Sequence, residues 1–416
     1  MNKSISNSQS HRRQFSPDFL WGAATCPACC EGETVSDWGK LAAPDGSVPD
    51  DGPRHWRRYR YDFKAMADLG LKAYRFGCDW GRLQREPYAR LEREDTFRYL
   101  EMLAELRSLG IEPWLVLFQN ALPRWAAAAG GWLNPETPRW LGDFAHRLAD
   151  ATDGEVVHWL TIHEPQVYAL SYYAWGVYPS GSWGRLDQAR KALGLLAKGH
   201  RLAAAAIRRR LPEARIGVSL PGGYFFPRRT WHPGDWLATW TSDWFFNRAG
   251  MGKFVGGGNC DFLMLRAGNE LGVGVFDALS LSSGVSAALP GRMRESGGDL
   301  NAERRRRRLA GWLNRHRMPI YLSGSIPHPS RSEEFFAMLA AYANSENGRG
   351  ASGFFYDPLL DQFDLGRGLA DGRGLLKVDF HGRDRRRDMR RFARDFGKLA
   401  RCGYLENGGG KTGANT

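Results

Sequence analysis

The stretch Thr161-Ile162-His163-Glu164-Pro165 closes a short apolar run, His158–His163, that follows an amphipathic segment near Pro138–Thr152. Short apolar runs set between helical patterns read as parallel strands buried on both faces. The same unit recurs along the chain. Phe19–Thr25 opens the series, Leu71–Phe76 follows a helical stretch around Asp62–Leu69, and Glu112–Phe118 follows one over Thr96–Leu109. Arg215–Leu220 comes after the alanine- and leucine-rich stretch Leu186–Leu211, and Asp261–Leu265, Pro319–Ser323 and Ser352–Tyr356 complete the set. Eight strands alternating with helices, with no break in composition, predict an α/β fold: a single (β/α)8 TIM barrel over residues 15–405. Residues 1–14 read as a polar, disordered N-terminal tail and 406–416 as a disordered glycine-rich one. Chemistry in such a barrel gathers at the carboxyl ends of the strands. Glu164 stands at one of them.

The chain has 416 residues, 43% of them hydrophobic, which is enough for a large core. Its 50 glycines and 16 tryptophans suit a barrel with many turns and an aromatic-rich cleft. The formal net charge is +13, carried mainly by arginine. Two basic runs, Arg304–Arg308 and Arg383–Arg391, contain or adjoin Glu303, Asp384 and Asp388 and read as solvated helix faces. Neither zinc-finger spacing nor an RNA-binding aromatic signature accompanies them, so no nucleic-acid partner is expected. The polar N-terminus lacks the apolar core of a secretory signal, and no window approaches the roughly 18–20 apolar residues of a span. A cytoplasmic protein with no membrane partner is the expectation. Six cysteines in a chain of this length do not form a disulfide framework. Cys26, Cys29 and Cys30 include one C-x-x-C, and Cys78 lies on the neighbouring strand. No second C-x-x-C or paired histidine completes a metal site, so packing at the barrel mouth is expected, with no metal and no cofactor.

In order, the strand ends resemble those of glycoside hydrolase family 1, the retaining β-glucosidase and β-galactosidase group. The resemblance rests on Phe19-Leu20-Trp21-Gly22-Ala23-Ala24-Thr25 with Glu31-Gly32, and on Tyr74-Arg75-Phe76 with Trp80 and Arg82. Gly110-Ile111-Glu112-Pro113 through Gly130-Gly131-Trp132 continues it, as do Asp261-Phe262-Leu263 and Gly353-Phe354-Phe355 through Asp364. Thr161-Ile162-His163-Glu164-Pro165 resembles the acid/base signature, which implies Glu164 as acid/base. Pro319-Ile320-Tyr321-Leu322-Ser323-Gly324-Ser325 resembles the nucleophile strand, with Gly324 at the nucleophile's position between Ser323 and Ser325. Glycoside cleavage normally uses two facing carboxyl groups. Here one is missing.

The other departures fall on sugar-contacting positions. Cys29 replaces a glutamine, Gln119-Asn120-Ala121 replaces a His-Trp-Asp run, His163 replaces an asparagine, and Arg266-Ala267-Gly268 replaces Asn-Tyr-Tyr. Asp357 replaces a tryptophan, Asp364 a glutamate and Leu365 a tryptophan. Arg75, which in the family steadies the nucleophile, needs a new anionic partner: Asp357, Asp364 or a charged ligand. The implied function is a divergent family 1 glycosidase-like protein acting on a glycoside or sugar-like small molecule. Three routes stay open: inversion with Asp357 or Asp364 as replacement base, substrate assistance, and glycosyl transfer with Glu164 as base. The alternative is an inactive sugar-binding or regulatory pseudoglycosidase. Arg75, Cys29, Gln119, Asn120, His163, Arg266, Ser323 and Ser325 are the candidate ligand contacts. The oligomeric state is not legible.

Overall fold

The computed structural model describes residues 15–39, 41–174, 176, 184–222, 224–266, 270–273, 318–326, 332–344, 350–366, 368–369 and 372–404. The two terminal tails and the run Arg304–Arg308 lie outside the described residues. Twelve strands are described: β1 (Leu20–Ala24), β2 (Ala73–Gly77), β3 (Glu112–Phe118), β4 (His158–His163), β5 (Arg215–Leu220), β6 (Tyr224–Pro227), β7 (Phe262–Arg266), β8 (Glu270–Val273), β9 (Ile320–Gly324), β10 (Gly353–Tyr356), β11 (Leu376–Val378) and β12 (Arg387–Met389). Eight of them close into a parallel barrel in the order β1-β10-β9-β7-β5-β4-β3-β2. These are the eight expected strands, and β3, β4 and β5 keep their expected bounds. β6 pairs with β8, and β11 with β12, as separate ribbons.

The barrel interior is filled by alternate residues of the strands, as a pleat with side chains on alternating faces requires. Ala73, Trp114, Val116, Leu160, Phe262, Met264 and Phe355 form this inner core, flanked by Leu20 and Tyr321. Trp114 is its centre, stacked on His158 with ring centroids 4.1 Å apart and edge-on to Phe262 and Tyr321. Such a bulky filling needs gaps opposite it. A side chain at Gly22 would come within 2.7 Å of the Phe355 ring, and one at Gly217 would occupy the space of the Phe262 ring.

The outward residues of the barrel strands pack on helices, among them α1 (His55–Asp68), α2 (Arg93–Ser108), α3 (Thr137–Thr152), α4 (Pro165–Tyr173), α5 (Leu186–Arg210), α7 (Ser332–Ala343) and α8 (Arg391–Cys402), whereas α6 (Pro233–Asp243) packs on the ribbon of β6 and β8. The expected helices before β2, β3, β4 and β5 are therefore present as α1, α2, α3 and α5.

The segment Arg383–Arg391 corrects the sequence reading. It is a turn followed by β12, and α8 begins only at its last residue. Its arginines are not all solvated. Arg387 donates to Asp62 of α1 at 2.8 Å and to the Pro53 carbonyl, while Arg390 donates to Asp361 and to the Gly374 carbonyl. Asp62 also accepts from His55 at 2.7 Å. A buried carboxylate needs such partners, and a composition run cannot show which arginines supply them.

Candidate active site

The alternation that fills the barrel also fixes what stands at its mouth. Two residues beyond the inward Ala73, Met264, Tyr321 and Phe355 come Arg75, Arg266, Ser323 and Asp357, and two beyond Gly217 comes Ser219. On β4 the register shifts between Leu160 and His163. Glu164 follows in the left-handed region, with φ 44° and ψ 57°, and Pro165 opens α4. Its backbone N–H donates to the Ser219 carbonyl at 2.8 Å. A non-glycine residue in this region costs about 1–2 kcal/mol, so the surrounding ladder holds Glu164 in a conformation it would not adopt alone. Asn120, at the end of β3, also has a positive φ of 63°.

Two ion pairs dominate the mouth. Arg75 is fully buried and donates from Nη2 to Asp357 Oδ2 at 2.7 Å and from Nη1 to His163 Nδ1 at 2.9 Å. A guanidinium only donates, so His163 Nδ1 must be the acceptor and its proton sits on Nε2. That nitrogen lies 4.0 Å from Glu164 Oε1. Burial, then the positive charges of Arg75 and Arg266, push His163 well below the usual histidine range. It faces the carboxylate as a neutral ring, beyond hydrogen-bond distance. Arg266 reaches from β7 past β5 and donates from Nη1 to Glu164 Oε1 and Oε2 at 3.1 and 3.3 Å. The Glu164 charge pushes the Arg266 guanidinium up, and Asp357 and Asp364 add to the effect.

Asp364 is held elsewhere. Its Oδ2 accepts from Arg373 at 3.0 Å and its Oδ1 from the Gly366 amide at 2.9 Å. Gly324 ends β9, and its carbonyl accepts the Asp357 amide at 2.9 Å, so the position without a carboxylate adjoins the one that carries Asp357. Ser323 is buried and Ser325 half-buried. Gln119 is buried with its Oε1 unpartnered. Asn120 makes a loose contact to Cys26 Sγ at 3.9 Å, and its carbonyl accepts from Tyr172 at 3.0 Å.

Cys29 sits apart from this polar ring, in an apolar cluster with Cys26, Ala28, Trp38, Ala43 and Phe363. A hydrogen bond with Cys26, and then burial, push its thiol up, and burial does the same to Cys30. These thiols pack as small apolar groups. Among the described residues, no group of three or more histidine, cysteine or acidic side chains is placed to hold a metal.

Two residues of the site escaped sequence reading. Ser219, buried with an unpartnered Oγ and in register with His163, was findable by counting two residues on from Gly217. Arg373 sits in a loop where no periodicity operates.

The fold has counterparts among known proteins. Residues 11–264 match the model of glycosyl hydrolase family 1. β-Glucosidase A of Thermotoga maritima is 28% identical over 226 residues, which is 52% of this chain and 50% of that protein. β-Glucosidase A of Acetivibrio thermocellus is 27% identical over 227 residues, 51% of this chain and 50% of that protein. The chain thus spans about half the length of the curated relatives it matches. The solved β-glucosidase of Thermotoga maritima in complex with glucoimidazole superposes with a TM-score of 0.81 at 21% identity, over 95% of this chain and 100% of that one. At that identity the likeness is one of fold.

Proposed function

Because the chain belongs to glycosyl hydrolase family 1, we propose that its barrel mouth takes a glycoside or sugar-like metabolite and that its chemistry avoids a covalent glycosyl-enzyme. The observation that carries this reading is the pairing at the mouth. Position 324 offers no carboxylate, Arg75 is bonded to Asp357 instead, and Glu164 accepts from Arg266 with both oxygens. A retaining mechanism needs a free nucleophile and a carboxylic acid aimed at the leaving group. Glu164 offers both oxygens as hydrogen-bond acceptors, to the Arg266 guanidinium. It fits the role of base on an acceptor hydroxyl, with a donor whose leaving group departs without protonation. Of the two candidate replacement bases, Asp357 is the one bonded to Arg75 and adjoining Gly324, so Asp357 is the better placed for an inverting route.

The test is to offer the full chain 4-nitrophenyl β-glucoside, and a β-glucosyl fluoride with and without sugar acceptors. No aryl glucosidase turnover and no covalent adduct with a 2-fluoro glycoside are expected. Turnover of the fluoride should fall at least about 100-fold in Glu164→Gln, as for loss of a general base. An adduct seen by intact mass, together with aryl glucoside turnover, overturns the proposal.

One observation favours a second reading, that of a sugar-binding pseudoglycosidase. All three candidate carboxylates, Glu164, Asp357 and Asp364, have an arginine partner. This reading predicts saturable glycoside binding by calorimetry, changed by less than about threefold in Glu164→Gln, and turnover of no donor.

A further inference from the structure

One segment beyond β6 turns its apolar side outward. Trp231 is 75% exposed, Trp236 54%, Leu237 63%, Trp240 60% and Trp244 49%. Trp236, Trp240 and Trp244 recur every four residues, so α6 and the wider helical turn Trp244–Ala249 that continues it present them as one stripe. The amphipathicity is inverted. Asp235 and Ala238 are buried, with Asp235 held by two hydrogen bonds from the Arg229 guanidinium at 2.8 and 2.9 Å, while Trp236, Leu237, Trp240 and Trp244 are exposed beside Pro233 and Thr241. Large exposed apolar patches on soluble chains mark contact surfaces.

We propose that this face docks on an anionic lipid membrane, with α6 lying in the plane of the surface and its indoles at headgroup level. Residue type is the first argument. Tryptophan dominates the stripe, and its apolar ring with one N–H suits the boundary between headgroups and hydrocarbon. Leu237, the second most exposed of the five, gains from hydrocarbon and offers no flat face for a sugar to stack on. Charge is the second. Residues 228–253 carry four basic side chains (Arg228, Arg229, Arg248, Lys253) and two acidic ones (Asp235, Asp243); Arg229 pairs with Asp235 and Arg248 with Asp243, so four minus two leaves the segment a net +2, within a chain of formal net charge +13. Basic surface beside an inserted apolar face is what anionic lipid attracts.

The expectation of no membrane partner rested on the lack of a span. No helix among the described residues is long and apolar enough to cross, but a helix lying on the surface needs no span. β6 and α6 follow the carboxyl end of β5, the end at which Glu164 stands.

The experiment is cosedimentation of the full chain with vesicles of phosphatidylcholine alone and of phosphatidylcholine with phosphatidylglycerol at about 3:1, read with tryptophan emission. Binding to the anionic vesicles with a blue shift is expected, weakened by added salt and weakened at least about tenfold in Trp240→Glu/Trp244→Glu. Both sites are exposed, and a thermal melt confirms that the variant is folded. No binding at millimolar lipid, or equal binding by the variant, overturns the proposal. So do three reassignments: soluble β-glucan retarding the wild type but not the variant, a dimer dispersed by the variant, or indoles already shielded from acrylamide in the free protein, which would assign the face to residues 274–317 of the chain itself.

Discussion

Replacing Asp357 with alanine isolates the electrostatics of the mouth. Arg75 is fully buried, its Nε has no partner, and Nη1 is spent on His163. His163 is neutral and cannot balance the charge. With no carboxylate at position 324, Asp357 is the anion that compensates Arg75 among the described residues. Removing one member of a buried pair costs about 3–5 kcal/mol, because the other charge stays buried and unmatched. Asp357 is 13% exposed at its side chain, so water can enter the space it leaves. We therefore expect the low end, about 3 kcal/mol. Asp357→Asn keeps an acceptor but loses the charge, and should cost about half as much. Because the Asp357 amide bonds to the Gly324 carbonyl, a carboxylate at 324 would stand next to the vacated site, so Gly324→Glu in the Asp357→Ala background should recover part of the loss. Urea unfolding of the four proteins, with unchanged slopes, reads all of this directly. If both Asp357 variants lie within about 0.5 kcal/mol of wild type, Arg75 does not depend on Asp357 and the reasoning fails.

Two further outcomes follow from buried groups elsewhere. Burial pushes His200, which is bonded to Thr161 at 2.7 Å, down to about 4 from its ordinary 6.5. The unfolded chain takes up that proton first, so its contribution to stability is full above 6.5 and is lost as pH falls toward 4, up to about 3 kcal/mol. Urea titrations at neutral and acid pH should show the slope, and His200→Gln should flatten it. Gly217→Ala places a methyl in the space of the Phe262 ring inside the barrel. A loss of about 1–3 kcal/mol in the same assay is expected, and an unchanged midpoint would mean that the inner layer yields more readily than its packing implies.

The strands were legible because both of their faces are covered, which prints each as an apolar run. β3, β4 and β5 could be bounded to the residue for that reason. Glu164 and Gly324 were legible as strand ends for the same reason. The segment Arg383–Arg391 was not, since a run of arginines gives no period to tell a hairpin arm from a helix face. Ser219 was hidden because a small hydroxyl inside an apolar strand leaves the strand pattern unchanged, and Arg373 by its place in a loop.

What the chain alone determined was the barrel, the position of Glu164 at a strand end, and the lack of a carboxylate at 324. These are local matters of side-chain pattern and residue identity. Which charges neutralise which was decided only by closure of the barrel. Arg75 meets Asp357 across 282 positions of sequence, Arg266 meets Glu164 across 102, and Arg387 meets Asp62 across 325. Buried charges must be paired, but the pairing partner is set by distance in space. Only the folded ring of strands supplies that distance.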